Sequence, residues 1–211
     1  MLSHHRATVA PHVVHRKEAM KTSLRRAAHV PAVSLACAGL LASGAGAATP
    51  RATAACSASL TPAVTEGPYY KEGSPRRSNI RSGATGRPLV VSGVVRTASC
   101  KRIAHARIEF WQADGSGNYD NSGYRLRGHV FTDSKGRYTV RTVVPGLYPG
   151  RTRHIHVKVK APGGPTLTSQ LYFPGEARNS SDGLFNSRTL LRITHKGTSW
   201  SARFNFAVRT G

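Results

Sequence analysis

The stretch Arg137-Tyr138-Thr139-Val140-Arg141-Thr142-Val143-Val144, the break Pro145-Gly146-Leu147-Tyr148-Pro149, and the run His154-Ile155-His156-Val157-Lys158-Val159-Lys160 together decide the fold. On both sides of the break apolar residues return at every second position, the period of a strand with one buried face. Working outward, short runs of β-branched and aromatic residues cut by Gly, Asn, Asp or Ser lie at 89–95, 106–112, 129–132, 166–173, 190–194 and 203–208. In the last of these, Phe204, Phe206 and Val208 alternate with Arg203, Asn205 and Ala207. Asp133-Ser134-Lys135-Gly136 between two such runs reads as a hairpin turn, with Gly where a positive φ is needed. No helical spacing is sustained after residue 48. The expectation is an all-β protein, an antiparallel β-sandwich of about eight strands over 88–211, preceded by an extended arm and loops at 48–87 that are rich in Pro, Gly, Ser, Thr and Arg.

The chain has 211 residues, enough for one ordinary domain and an appendage, and 39% hydrophobic residues allow a packed core. Residues 1–47 read as an address rather than a fold. Lys21, Arg25 and Arg26 precede an apolar run from Pro31 to Leu41, and Ala45-Gly46-Ala47 supplies an A-x-A cleavage site. Met20 is a second candidate start, and the His4, His5, His12 and His15 tract before it is not counted among ligands. The run is too short to span a bilayer, so the expectation is a secreted or cell-envelope protein without a transmembrane segment, exported by the Sec or twin-arginine route. Residues after 47 carry 25 basic and 8 acidic side chains. That excess favours non-specific attraction of polyanions. Aromatic residues are only 7% and form no stacking array among the basic ones, which argues against specific nucleic-acid recognition. Cys56 and Cys100 are an even pair in a chain read as exported, hence a candidate disulfide.

Chemistry concentrates around His154-Ile155-His156, because a strand projects both imidazoles to one face while Ile155 and Val157 face the other. Two nitrogen donors at this spacing can share one metal, although an H-x-H pair alone is as compatible with a solvated strand face. The Pro145–Pro149 turn brings Tyr148 to the rim beside them, and Tyr119 sits in a Gly-rich loop directly after Phe110-Trp111-Gln112. Either tyrosine also fits a packing role.

Taken in order, these segments resemble the intradiol ring-cleavage dioxygenases, the family of the protocatechuate and catechol dioxygenases. The resemblance runs through Thr65-Glu66-Gly67-Pro68-Tyr69-Tyr70, Ile108-Glu109-Phe110-Trp111-Gln112-Ala113-Asp114, Gly117-Asn118-Tyr119, Arg127-Gly128-His129-Val130-Phe131-Thr132-Asp133, the 145–156 segment and Gln170-Leu171-Tyr172-Phe173. It implies Fe(III) held by Tyr119, Tyr148, His154 and His156, with Tyr119 as the displaceable phenolate that then serves as base. It also implies a catechol-type diol and O2 as substrates, Arg151 stabilising charge on the ring, Gln170 in the pocket, and Gly67, Pro68 and Tyr69 at its mouth. The chemistry agrees, since phenols near pKa ~10 ionise only against a strong Lewis acid, and two anionic oxygens favour a hard trivalent ion. The chain departs from the family pattern in having only residues 149–153 between Tyr148 and His154, in Arg153, and in lacking an N-terminal helical dimerisation region; a homodimer stays open. His129 and His105 have no ligand counterpart and read as structural. The competing expectation is a non-catalytic transthyretin-like or adhesin-like sandwich, which shares the hairpin and turn but does not require two tyrosines with H-x-H.

Overall fold

The structure is a computed structural model and describes residues 56–211. The address segment at 1–47 and the first part of the arm lie outside the described residues. Among the described residues there are nine strands: β1 (Pro88–Arg96), β2 (Arg107–Trp111), β3 (Arg127–Phe131), β4 (Arg137–Val143), β5 (His154–Lys160), β6 (Thr166–Tyr172), β7 (Arg192–Lys196), β8 (Ser199–Arg203) and β9 (Phe206–Ala207). They form two sheets. One has the order β4-β1-β8-β7 with β9 also on β1, and the other has the order β3-β2-β5-β6.

Period-two alternation builds the core between the sheets. Leu89, Val91 and Val95 of β1 and Tyr138 and Val140 of β4 meet Ile108 and Phe110 of β2, Ile155, Val157 and Val159 of β5, and Leu171 of β6. The 133–136 hairpin forms as expected: Gly136 has φ +68°, and the Asp133 carboxylate accepts from the N–H groups of Lys135 and Arg137.

The expected sandwich forms from two antiparallel-rich sheets, with β1 running parallel to β8 and to β9. One expectation about strands needs correction: residues 203–208 are not one strand. Phe204 passes against Gly93 so closely that a Cβ there would lie 1.7 Å from its carbonyl oxygen, and the Asn205 side chain takes the N–H of Val94 that a straight ladder would pair. Strand β8 therefore ends at Arg203 and β9 resumes at Phe206. Its own start at Ser199, after the Gly197 turn (φ +55°), does not stand out in the sequence.

The described part of the arm is stitched along the sandwich by backbone hydrogen bonds: Thr61 to Ala207, Val64 to Thr168, Arg77 to His129 and Ile80 to Arg141. Cys56 is bonded to Cys100, with Cα atoms 5.8 Å apart.

Candidate active site

The outer face of the β3-β2-β5-β6 sheet should be polar and wet by the alternation rule, yet its upper part is buried. Register places Arg127, Trp111, His156 and Gln170 side by side in one row across the four strands, with His154 beside Tyr172 in the next. His156 is 1% exposed and Gln170 is fully buried, because the arm and two loops cover this end of the sheet. Buried polar groups need partners, so this row is where chemistry is concentrated.

Tyr119 comes from the loop after β2. The Asp114 carboxylate accepts from the N–H groups of Ser116 and Asn118, and Asp120 accepts from those of Ser122, Gly123 and Arg125. These local bonds fix the loop without regular structure. The four hydrogen bonds that the Asp120 carboxylate accepts, led by those from the N–H groups of Gly123 and Arg125 and completed by two from Ser122, push its carboxyl down to about 2. Tyr148 comes from the turn between β4 and β5. The two loops touch backbone to backbone: Gly117 has φ +89°, and a Cβ on it would lie 2.2 Å from the carbonyl oxygen of Leu147.

The four aromatic rings close on one another. Centroids are 5.7 Å apart for Tyr119–Tyr148, 5.7 Å for Tyr148–His154, 4.6 Å for His154–His156 and 6.2 Å for His156–Tyr119. The two imidazole Nε2 atoms face each other at 3.0 Å. One ion bonded to both nitrogens at ~2.1 Å would fit within that separation. His154 Nδ1 lies 2.6 Å from the carbonyl oxygen of Thr152, so Nδ1–H donates there and Nε2 keeps its lone pair. Trp111 stacks on His156 at 4.8 Å and fixes its ring plane. Burial pushes His154 down to about 4, and burial together with the neighbouring His154 and Arg151 holds His156 well below the ordinary imidazole range. Both rings are therefore neutral donors at pH 7. Burial, with Tyr148 adding to it, raises Tyr119 far above an ordinary phenol. A phenol in such surroundings ionises only against a strong cation. Among the described residues no group of three or more His, Cys, Asp or Glu gathers, so any metal here would rest on the phenols as well as the imidazoles. The donor set of two phenols and two imidazoles thus fits a hard trivalent ion better than zinc.

Arg151 enters from one side. Its Nε donates to Asp182 at 2.9 Å, Nη2 to the Gln170 Oε1 at 2.6 Å, and Nη1 to the Tyr148 hydroxyl oxygen at 3.3 Å. Gln170 Oε1 also accepts from Tyr172, and its amide donates to the Thr65 carbonyl of the arm. From the other side Tyr69 stacks on Tyr119 at 4.3 Å and meets Tyr148 edge-on at 5.9 Å. Gly67, at φ +74°, lies against His156 closely enough that a Cβ would come to 3.3 Å from Cε1. Pro68 between them is exposed.

All six residues read as ligands or catalytic groups therefore gather at one place, with Gly67 and Tyr69 over them. His129 instead contacts the Ser74 carbonyl at 2.8 Å, and His105 lies in a turn at φ +57°, both outside the ring of four. Arg153 pairs with Glu176 at 2.7 Å and also donates to the Pro145 carbonyl. Two supporting residues escaped the sequence reading. Asp182, from an irregular segment, holds Arg151. Arg127, 2% exposed, donates to the carbonyls of Tyr69 and Asp120 and so joins the arm to the Tyr119 loop. A basic residue at a strand start inside a quoted motif was the available signal for Arg127; Asp182 had none.

A two-sheet sandwich with paired strand imidazoles facing paired loop phenols defines the class of protein. The family model described as Dioxygenase matches residues 65–203, and the chain belongs to the intradiol ring-cleavage dioxygenase family. It is 32% identical over 151 residues to a 6-chlorohydroxyquinol 1,2-dioxygenase of Cupriavidus pinatubonensis, covering 59% of this chain and 55% of that protein. It is 29% identical over 163 residues to a catechol 1,2-dioxygenase of Acinetobacter guillouiae, covering 64% and 53%. The chain spans about half the length of these curated relatives. Among solved structures, the dioxygenase domain of a dioxygenase and carbohydrate-binding protein fusion from Streptomyces sp. SirexAA-E is 49% identical with a TM-score of 0.70, covering 72% of this chain and all of that one. An intradiol ring-cleavage dioxygenase from Tetranychus urticae is 29% identical with a TM-score of 0.67, covering 72% and 95%.

Proposed function

We propose that Tyr119, Tyr148, His154 and His156 hold one Fe(III), and that the protein cleaves a catechol-type diol with O2 to a muconate-type dicarboxylic acid. The observation that carries this reading is the closed ring of two phenols and two imidazoles with Nε2 atoms 3.0 Å apart. In the balanced reaction the carbon–carbon bond between the two hydroxyl-bearing carbons breaks, both oxygen atoms of O2 enter the product, and O2 is the oxidant. Bound iron would supply the Lewis acidity that ionises phenols and prepares the diol for O2.

The chain's own residues then bind, orient and move protons. A diol must lose two protons on binding, and a phenolate of the site is the natural base to take one. The surroundings favour Tyr148 for that role over Tyr119. Tyr119 is pinned by the Tyr69 stack and by its Asp114 and Asp120 loop, whereas Tyr148 stands on a turn with an Arg151 N–H already at its oxygen. Arg151, held by Asp182 and Gln170, offers a fixed positive charge at the ring, and its fork geometry is retained at every working pH. Gly67 leaves open the space over His156 that a side chain would fill.

Nothing in the geometry favours the non-catalytic sandwich, which has no use for a converging donor set. The bond between Cys56 and Cys100 supports an oxidising compartment, in keeping with export. Among the described residues no helix is long and apolar enough to cross a membrane.

Iron-loaded protein offered catechol, 3,4-dihydroxybenzoate and hydroxyquinol at an oxygen electrode should consume O2 and diol one to one for at least one of them, with an open-chain diacid by mass spectrometry. No uptake with any of the three, or a semialdehyde product, would overturn the proposal.

A further inference from the structure

A second concave site lies away from the four rings, where the arm crosses the edge of the other sheet. It is a cavity of about 570 Å³ walled by Ser59–Pro62 of the arm, the end of β1, the break between β8 and β9, and the segment around Leu190. That is the size of a small-molecule site rather than of a single ion. Four arginines line it, Arg96, Arg188, Arg192 and Arg203, and no acidic residue does. Register sets Arg192 directly opposite Arg203 across β7 and β8. Like charges so placed destabilise a sheet unless something lies between them. Among the described residues none of the four takes part in an ion pair. Arg96 carries a further sign: its Nε is buried without a hydrogen-bond partner among the described residues, a cost proteins seldom leave unmet. The rest of the wall is mixed, with Leu60, Leu191 and Phe204 beside the Asn205 amide.

We infer that this cavity binds a ligand bearing two or more carboxylates on a carbon body, with the guanidinium forks of Arg192 and Arg203 as its principal partners. Guanidinium matches carboxylate in planar, two-bonded geometry, and anions on both forks remove the repulsion between them. The apolar wall accepts the body of the ligand, which inorganic ions lack. Such ligands include acidic sugars and aromatic polyacids. The site shares no residue with the proposed iron centre, so its occupancy is independent of that reading.

The test is titration calorimetry of the full protein at 0.15 M salt, where long-range attraction is largely screened, with trigalacturonate and with benzene-1,3,5-tricarboxylate. One saturable site per chain is expected for at least one probe, and the tighter probe identifies the source of the carboxylates. Arg192→Gln/Arg203→Gln should weaken that binding at least tenfold. Arg76→Gln/Arg125→Gln, which removes equal charge beside β3 of the other sheet, should leave it within twofold. The melting temperature of the first double variant without ligand should equal or exceed that of the parent, since a like-charge pair is gone. Arg188→Gln repeats the test with a single change should that double variant fold poorly. Saturable binding by neither probe, or equal weakening in both double variants, would overturn the inference and leave only non-specific attraction to a basic protein.

Discussion

Arg151 has little freedom: Asp182 takes its Nε, Gln170 takes Nη2, and Nη1 alone reaches the Tyr148 oxygen. Losing such a preorganised donor typically costs about 10²–10³ in turnover, or ~3–4 kcal/mol. Arg151→Ala should therefore keep its iron and its tyrosinate colour while kcat falls by about that factor. Asp182→Asn weakens only the holder, and kcat should fall about tenfold with KM little changed. Oxygen uptake alongside iron analysis separates these effects, and iron loss in step with activity would mean a structural role instead. Burial pushes the Asp182 carboxyl up, but the N–H groups of Thr152 and Leu184 and the Arg151 guanidinium outweigh it, so the net direction is down. For a depressed carboxylate the stabilisation is present above the unfolded value near ~3.9 and is lost as pH falls through the lower folded one. The same sign holds for Asp120, which titrates at about 2. Neither latch should open between pH 5 and 8, and carboxyl chemical shifts followed by NMR should show the Asp120 midpoint near 2. At this scale the sequence was informative where a motif carried the residue, as for Tyr148, His154 and Gln170. It was silent on Asp182, whose role depends on a chain path with no period of its own.

Strands and loops set where those side chains stand. The arm is fastened over the imidazoles by a chain of contacts on the outer sheet face: Lys158 pairs with Glu66 at 2.6 Å and lies 3.5 Å over the Tyr70 ring, and Arg107 pairs with the buried Glu109 at 2.7 Å. Because Glu66 is half-exposed, its pair is worth at most about 1 kcal/mol. Glu66→Gln should thus leave the melting temperature within a few degrees yet raise KM, since Gly67 and Tyr69 follow directly in the chain. Gly117 is a harder constraint. Its φ of +89° and the Leu147 carbonyl at 2.2 Å from a built Cβ leave no room for a side chain. Gly117→Ala should cost at least ~1–3 kcal/mol in thermal or urea unfolding and separate the two phenols, measured as weaker iron retention. Strands such as β4 and β5 were legible because alternation is a local property. The β8–β9 break was not, because it comes from Phe204 meeting Gly93, a contact far removed along the chain.

For the molecule as a whole, the Cys56–Cys100 bond acts by constraining the unfolded chain. It closes a separation of 44 residues, for which chain-entropy arguments give a stabilisation of about 2–4 kcal/mol. Complete reduction should lower the melting temperature by several degrees, and an unchanged melt would exclude that contribution. The global architecture was readable because the alternating runs were many and short. The parallel placement of β8 and β9 on β1 was hidden, because period two is the same for either strand direction.

The covalent loop encloses the arm's share of the cover over the candidate iron site, from Thr65 to Tyr70. A protease that nicks the chain anywhere between residues 57 and 99 would open the backbone yet shed no fragment. On a gel the nicked protein should run as one band until thiol is added, and then as two. A chain built this way can be cut once inside the loop and still keep both halves together.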